Sequence, residues 1–473
     1  MKKIILSLVI LTIFACKEEA SQVEKKVVSE EKVVLKPIAD SDLETAVIYE
    51  ANIRQYSPEG TFEAFTKDIP QLKQLGVKVI WLMPVFPISE TKRKATGGED
   101  SKFATDFPEA EQDKYLGSYY AVSDFTKINP EFGTMEDFRD LVNTAHDNGI
   151  YVILDWVPNH TGWDHTWLKT NPEYYTQNDK GEVVHPVDTD WTDVADLNYD
   201  NQEMRKAMIA DMTYWLTKEG VDGFRCDVAG SVPTNFWEQA IPELRAKKDI
   251  FMLAEAWEPE LLKDGLFDMA YGWDRHHAMN AIAKGEKDAT EFNNALQTDF
   301  ERYASDDILM NFVTNHDENS WNGTIKERMG EAGEMMTALA YVTPGMPLIY
   351  SGQEYDLDHR LLFFEKDSFP HTKGATWELL EKLATLKQNN AALHGGKASA
   401  KYNVIVNGKD VISFSRIKDN DEVVFIANVS KENAKVNLVQ KGTYLDYLSN
   451  KTIELEGDAI PLAVNEFKIL VKK

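Results

Sequence analysis

From residue 46 to residue 350 the chain repeats one pattern: a short apolar run without polar alternation, then an amphipathic helical stretch. The apolar runs fall at 46–50, 77–83, 150–155, 221–227, 250–255, 267–270, 309–314 and 347–350. The helical stretches fall at 61–75, 135–148, 201–219, 234–246, 289–303, 328–342 and 375–388. A strand that is apolar on both faces belongs in a parallel sheet covered by helices, because only there do both faces avoid water. Eight such units predict an α/β fold, a closed (β/α)8 TIM barrel, with a doubly wound open sheet as the competing arrangement.

Two connections are too long to be simple turns. The loop at 84–118 follows the second strand and carries an acidic run over 99–113, and 161–198 after the third strand is large enough to be a small domain. From about 393 the period changes to two, with segments such as Val404-Ile405-Val406 and Val423-Val424-Phe425-Ile426 separated by turns like Asn407-Gly408. Alternation punctuated by turn residues predicts a separate antiparallel β domain over 393–473, leaving 45–392 for the barrel.

The N-terminus reads differently. Lys2-Lys3 precede the apolar run from Ile4 to Ala15, which ends at Cys16, as in an export signal. The ending Ile13-Phe14-Ala15-Cys16 resembles a bacterial lipobox, with an ordinary cleaved signal as the alternative. A lipobox implies a lipidated Cys16 and an outer-membrane lipoprotein on the periplasmic or cell-surface face, touching the membrane through its anchor only. Residues 17–44, rich in Glu, Lys, Val and Ser and free of Gly, are expected to form a disordered tether. The only other cysteine is Cys226, so no intramolecular disulfide is available. A formal charge of −27 excludes a nucleic-acid binder, which needs Lys and Arg to displace counterions from phosphate.

In a closed barrel the chemistry sits at the C-terminal ends of the strands. Here the third strand ends Asp155-Trp156-Val157-Pro158-Asn159-His160, and the fourth ends in the pair Arg225 and Asp227. The fifth ends Glu255-Ala256-Trp257, and the seventh Asn315-His316-Asp317. Any one acid there could be a helix cap. Carboxylates on strands four, five and seven, accompanied by His160, Arg225 and His316, fit a cluster better. Residues two apart on a strand share a face, so Arg225 can hold Asp227 ionised. A zinc site is disfavoured, since no third or fourth ligand gathers near the histidines.

With these motifs in order and at suitable spacing, the chain resembles the α-amylase family of glycoside hydrolases from Tyr49 to the C-terminus. The resemblance extends to Tyr120-Ala121-Val122-Ser123-Asp124, Ala195-Asp196-Leu197-Asn198 and Gly352-Gln353-Glu354. It implies an inserted B domain at 161–198, a C-terminal antiparallel β-sandwich, and activity on α-glucosidic bonds of starch-like glucans or maltodextrins. It also implies the roles of three acids: Asp227 as nucleophile, Glu255 as general acid/base and Asp317 as transition-state stabiliser. Retention of configuration then requires Glu255 to be protonated and Asp227 ionised. By the same resemblance Tyr120, His160, Arg225 and His316 bind the sugar. No cofactor is required; Asn159 and Asp196 match two ligands of the family's calcium site, while the third position is Ser231, a poorer ligand. The run from Val228 to Val232 followed by Phe236-Trp237 resembles neopullulanases and cyclomaltodextrinases. Transglycosylation, α-1,6 cleavage and non-catalytic glucan binding are the alternatives.

Overall fold

The computed structural model describes residues 35–98 and 100–473. The signal segment 1–16, the lipidation candidate Cys16 and residues 17–34 of the expected tether lie outside the described residues.

Eight parallel strands close into a barrel: Val47–Ala51, Val77–Leu82, Tyr151–Trp156, Gly223–Cys226, Phe251–Ala254, Met269–Tyr271, Ile308–Asn311 and Met346–Tyr350. Each pairs with its successor, and the eighth returns to the first with Leu348 opposite Ile48. This closure rules out the open sheet. Along one strand, alternate residues go to two different cores. Ile48, Val79, Trp81, Ile153, Leu253, Met310 and Leu348 fill the barrel interior. Their neighbours Val47, Tyr49, Ile80, Val152, Leu154 and Ile349 pack outward among the helices. Both sets are dry, which is the physical reason the sequence shows no alternation.

The floor of the barrel corrects one expectation. Residues 35–44 are not a free tether: Asp40–Leu43 form a helical turn, Leu43 is buried in the interior cluster, and Leu35 and Ile38 pack against it. Tyr151 donates its hydroxyl to Asp42 at 3.1 Å, fastening the turn to the third strand. Sealing the open bottom of an apolar interior removes surface from water, and that is sufficient to order a segment whose composition is otherwise polar.

In the long connection after the third strand, the segments His160–Gly162 and Val194–Asp196 pair as an antiparallel ribbon, His160 opposite Asp196. Beyond the helix Ala375–Asn389 the chain forms a six-stranded antiparallel sheet. A two-stranded ribbon, Ala434–Asn437 with Ala459–Leu462, faces it. Val424, Ile426 and Leu470 of the sheet meet Val436 and Leu462 of the ribbon, making a small unequal sandwich. The other face of the sheet sends Phe414, Phe425 and Ile469 into the barrel's outer core.

The fourth strand, which carries the Arg225-Asp227 motif, begins at a position only glycine can occupy. Gly223 has φ +151°, and a Cβ there would lie 1.9 Å from the Phe251 carbonyl oxygen of the neighbouring strand. The clash is with backbone, so neither side can yield without breaking the barrel. Gly223→Ala is therefore expected to cost about 3 kcal/mol or more in urea unfolding, or to prevent folding.

Candidate active site

Arg225 lies on the inward face of the fourth strand and is fully buried. Register places it opposite Asp155 of the third strand and Leu253 of the fifth. Its guanidinium contacts three carboxylates: Nη1 lies 2.7 Å from Asp155 and 2.8 Å from Asp227, and Nη2 lies 2.8 Å from Glu255. The plane sits 4.8 Å above the Trp81 ring, and Nε donates to the Tyr271 hydroxyl at 3.3 Å. Asp155 is held independently by the Trp81 indole N–H and the Tyr120 hydroxyl, each at 3.1 Å.

Three buried carboxylates on one guanidinium are coupled: burial and their mutual repulsion raise them, while Arg225 pulls them down. Burial raises Asp155 to about 6 against the pull of Arg225. Asp227 is raised well above the ordinary carboxylate range: burial contributes most, the Glu255 and Asp155 charges add to it, and Arg225 opposes. Glu255 goes the other way. Burial would raise it, but Arg225 and the Val228 N–H, 2.8 Å from Oε2, outweigh burial, and a hydrogen bond with the Asp227 carboxyl lowers it further. Arg225 is thus not reserved for Asp227, and the chain turns a backbone N–H onto Glu255.

The seventh strand supplies the opposite wall. His316 places Nδ1 2.5 Å from Glu50 and Nε2 2.8 Å from the Tyr120 hydroxyl, with Asp317 at 3.4 Å. Burial alone would lower this histidine, yet the Asp317 and Glu50 charges raise it to about 9, so it is cationic at neutral pH. His160 is the converse. Burial lowers it to about 3, leaving a neutral ring that rests 5.5 Å from Trp191. Tyr120 stacks on His316 with ring centroids 5.6 Å apart.

Tyr120, His160, Asp227, Glu255, His316 and Asp317 all line one cavity of about 480 Å³. Of the sugar-contact candidates, Arg225 alone does not reach it; it lies beneath the carboxylates and supports them. Glu50 and Asp155 are further acids near strand ends, and the rule that picks out strands four, five and seven extends to them. Lys94 and Asp193, a buried ion pair at 3.6 Å, and Trp191, Trp321, Phe363 and Phe364 also line the cavity. They come from loops, where no periodicity marks an inward side chain.

Of the calcium ligands that the resemblance implies, Asn159 Nδ2 lies 3.2 Å from His160 Nδ1, Asp196 sits in the paired ribbon opposite His160, and the third position, Ser231, is exposed. Among the described residues no group of three or more His, Cys, Asp or Glu gathers to hold a metal ion.

Comparison with known proteins agrees with this geometry. The family model "Alpha amylase, catalytic domain" matches residues 33–191 and 177–392. An alpha-amylase from Haloarcula japonica is 26% identical over 433 residues, covering 88% of this chain and 60% of that protein. A cyclomaltodextrinase from Thermoanaerobacter pseudethanolicus is 24% identical over 447 residues, covering 87% and 71%. Among solved structures, a noncanonic maltogenic alpha-amylase from Thermotoga neapolitana superposes with a TM-score of 0.79 at 28% identity, covering 91% of this chain and 99% of that one. The chain thus spans 60% of the length of the haloarchaeal relative. The matched catalytic-domain model takes in all eight barrel strands and every residue of the acidic cluster, and the chain belongs to the alpha-amylase family.

Proposed function

We propose that the protein is a retaining glycoside hydrolase that cleaves α-1,4 bonds in starch-like glucans or maltodextrins. The observation that carries this reading is the Asp227–Glu255 pair: two carboxyl groups on one buried guanidinium, lining a cavity that Asp317 lines as well. Such closeness suits direct attack by one carboxylate rather than activation of a water between two distant ones. The names of the relatives, alpha-amylase, maltogenic alpha-amylase and cyclomaltodextrinase, support the substrate class.

A retaining reaction needs one acid and one carboxylate, and two coupled carboxyl groups on one guanidinium can share a single proton. Glu255 protonates the glycosidic oxygen while Asp227 attacks the anomeric carbon, so the C–O bond to the leaving sugar breaks as the bond to Asp227 forms. Asp317 stabilises the positive charge developing on the ring. Cationic His316 and neutral His160 bind hydroxyls, and Tyr120 offers its flat face to the ring. Water, deprotonated by Glu255, then attacks the same carbon and releases Asp227.

A second reading, transfer to a sugar acceptor, draws on Gly230 and Ser231. Both are small and exposed beyond the nucleophile, with the Glu258 carboxylate packed against Gly230. Chromatography of maltopentaose digests decides between them: transfer yields products longer than the substrate.

Glu255→Gln is expected to lower kcat/KM on maltooligosaccharides by about 10²–10⁴-fold. Asp227→Asn should abolish the covalent adduct that intact-mass analysis detects with a fluorinated glucosyl donor. Proton NMR of the first-released product should show the α-anomer; a β-anomer would refute retention.

The proton balance makes a pH prediction. The Asp155 charge raises Asp227, so Asp155→Asn lowers it, and the pair loses its proton at a lower pH. The alkaline limb of kcat/KM should therefore move toward acid pH in that variant. A limb that stays in place would show that Asp155 does not act on the pair.

A further inference from the structure

Asp317 is the least enclosed of the three acids. Its side chain is 42% exposed, and among the described residues its carboxylate accepts a single hydrogen bond, from the Trp321 indole N–H at 3.1 Å. His316 Nε2 lies further off, at 3.4 Å. A carboxylate that must face a developing charge needs a fixed direction, and one bond from one side chain supplies it here.

The backbone is adapted to make that bond. Residues Glu318–Asn322 form a π turn, closed by the Gly323 N–H on the Glu318 carbonyl at 2.8 Å. The wider turn brings Trp321 back over Asp317. Single π turns are uncommon and concentrate at functional sites. Trp321 is itself 44% exposed, so burial does not account for its position. Its ring is instead wedged between two loops. Phe363 lies 5.0 Å away, and Gly97 approaches so closely that a Cβ there would sit 2.8 Å from the indole. The loops are tied to each other, since the Leu116 N–H donates to the Phe364 carbonyl at 2.6 Å.

We infer that Trp321 is a positioning residue that sets the Asp317 carboxylate for the reaction, and that its contact with Gly97 makes the 84–118 loop a determinant of that setting. The inference rests on Asp317 stabilising the transition state, as in the function proposed above. Trp321 then works through two surfaces: its N–H fixes Asp317, and its ring fixes the N–H. A bulkier residue at 97 would tilt the ring and carry the carboxylate with it, although residue 97 touches no acid.

Two variants test this. Trp321→Phe keeps the aromatic wedge and removes the N–H; Gly97→Val keeps the N–H and displaces the ring. In Trp321→Phe, kcat on maltotriose should fall about ten- to a hundredfold, the scale of a lost hydrogen bond to a charged group, with KM within about twofold. Binding of a cationic iminosugar, which mimics the developing charge, should weaken by a similar factor while maltotriose affinity holds. Gly97→Val should show the same split in smaller degree. Unchanged kcat in Trp321→Phe would overturn the inference, as would a rise in KM alone, which would make Trp321 a sugar platform instead. Wild-type kinetics in Gly97→Val would overturn the part assigned to the loop. A lack of turnover in the wild-type enzyme would sink the proposed function instead, and iminosugar binding would still report on Trp321.

Discussion

The site depends on a shortage of positive charge. Arg225 is buried and single, and it meets three acids from three adjacent strands. Had each acid its own cation, all would be ionised at neutral pH and none could donate a proton. Had they none, burial would protonate them all. One guanidinium among three acids, with His316 beyond them, couples their charges so that none of them titrates alone. Trp81 and Tyr271 keep the guanidinium in place from below, and neither competes with the acids for its charge. The barrel supplies the convergence, since parallel strands in register bring Asp155 and Arg225 level across one ladder.

A second balance operates on the far wall. His316 is as buried as His160, yet one is cationic and the other neutral. The difference lies in what faces them: carboxylates of Glu50 and Asp317 on one side, Asn159 and Trp191 on the other. The cavity thus presents a charged donor and an uncharged one to the same ligand, and both arise from identical side chains.

Much of this was legible in the residues because it is local or periodic. Unalternated apolar runs gave the barrel strands to within a few positions, and acids at strand ends gave Asp227, Glu255 and Asp317. What was not legible depends on pairs distant in sequence. The sharing of Arg225 among Asp155, Asp227 and Glu255 rests on contacts made across strand ladders. The ordering of residues 35–44 follows from an apolar barrel floor that no local composition announces. Lys94 with Asp193, and Trp321 with Gly97, join loops whose sequences carry no period, so nothing in either segment names its partner.

Val228 shows how the backbone enters this balance. It is β-branched and adopts φ 38°, ψ 45°, a left-handed conformation that such residues avoid. A strain of this kind, on the order of 1–3 kcal/mol, persists only where the surroundings overdetermine it. Here they do: the Asp227 N–H is bonded to the Trp156 carbonyl before it, and the Ser231 N–H closes on Val228 after it. The Trp237 indole then fixes the Ala229 carbonyl at 3.1 Å. The result of holding Val228 in this shape is that its N–H points at Glu255. That bond helps lower Glu255. A turn of the chain next to Asp227 therefore acts on the carboxyl group of the following strand, and Arg225 and Val228 bear on it together.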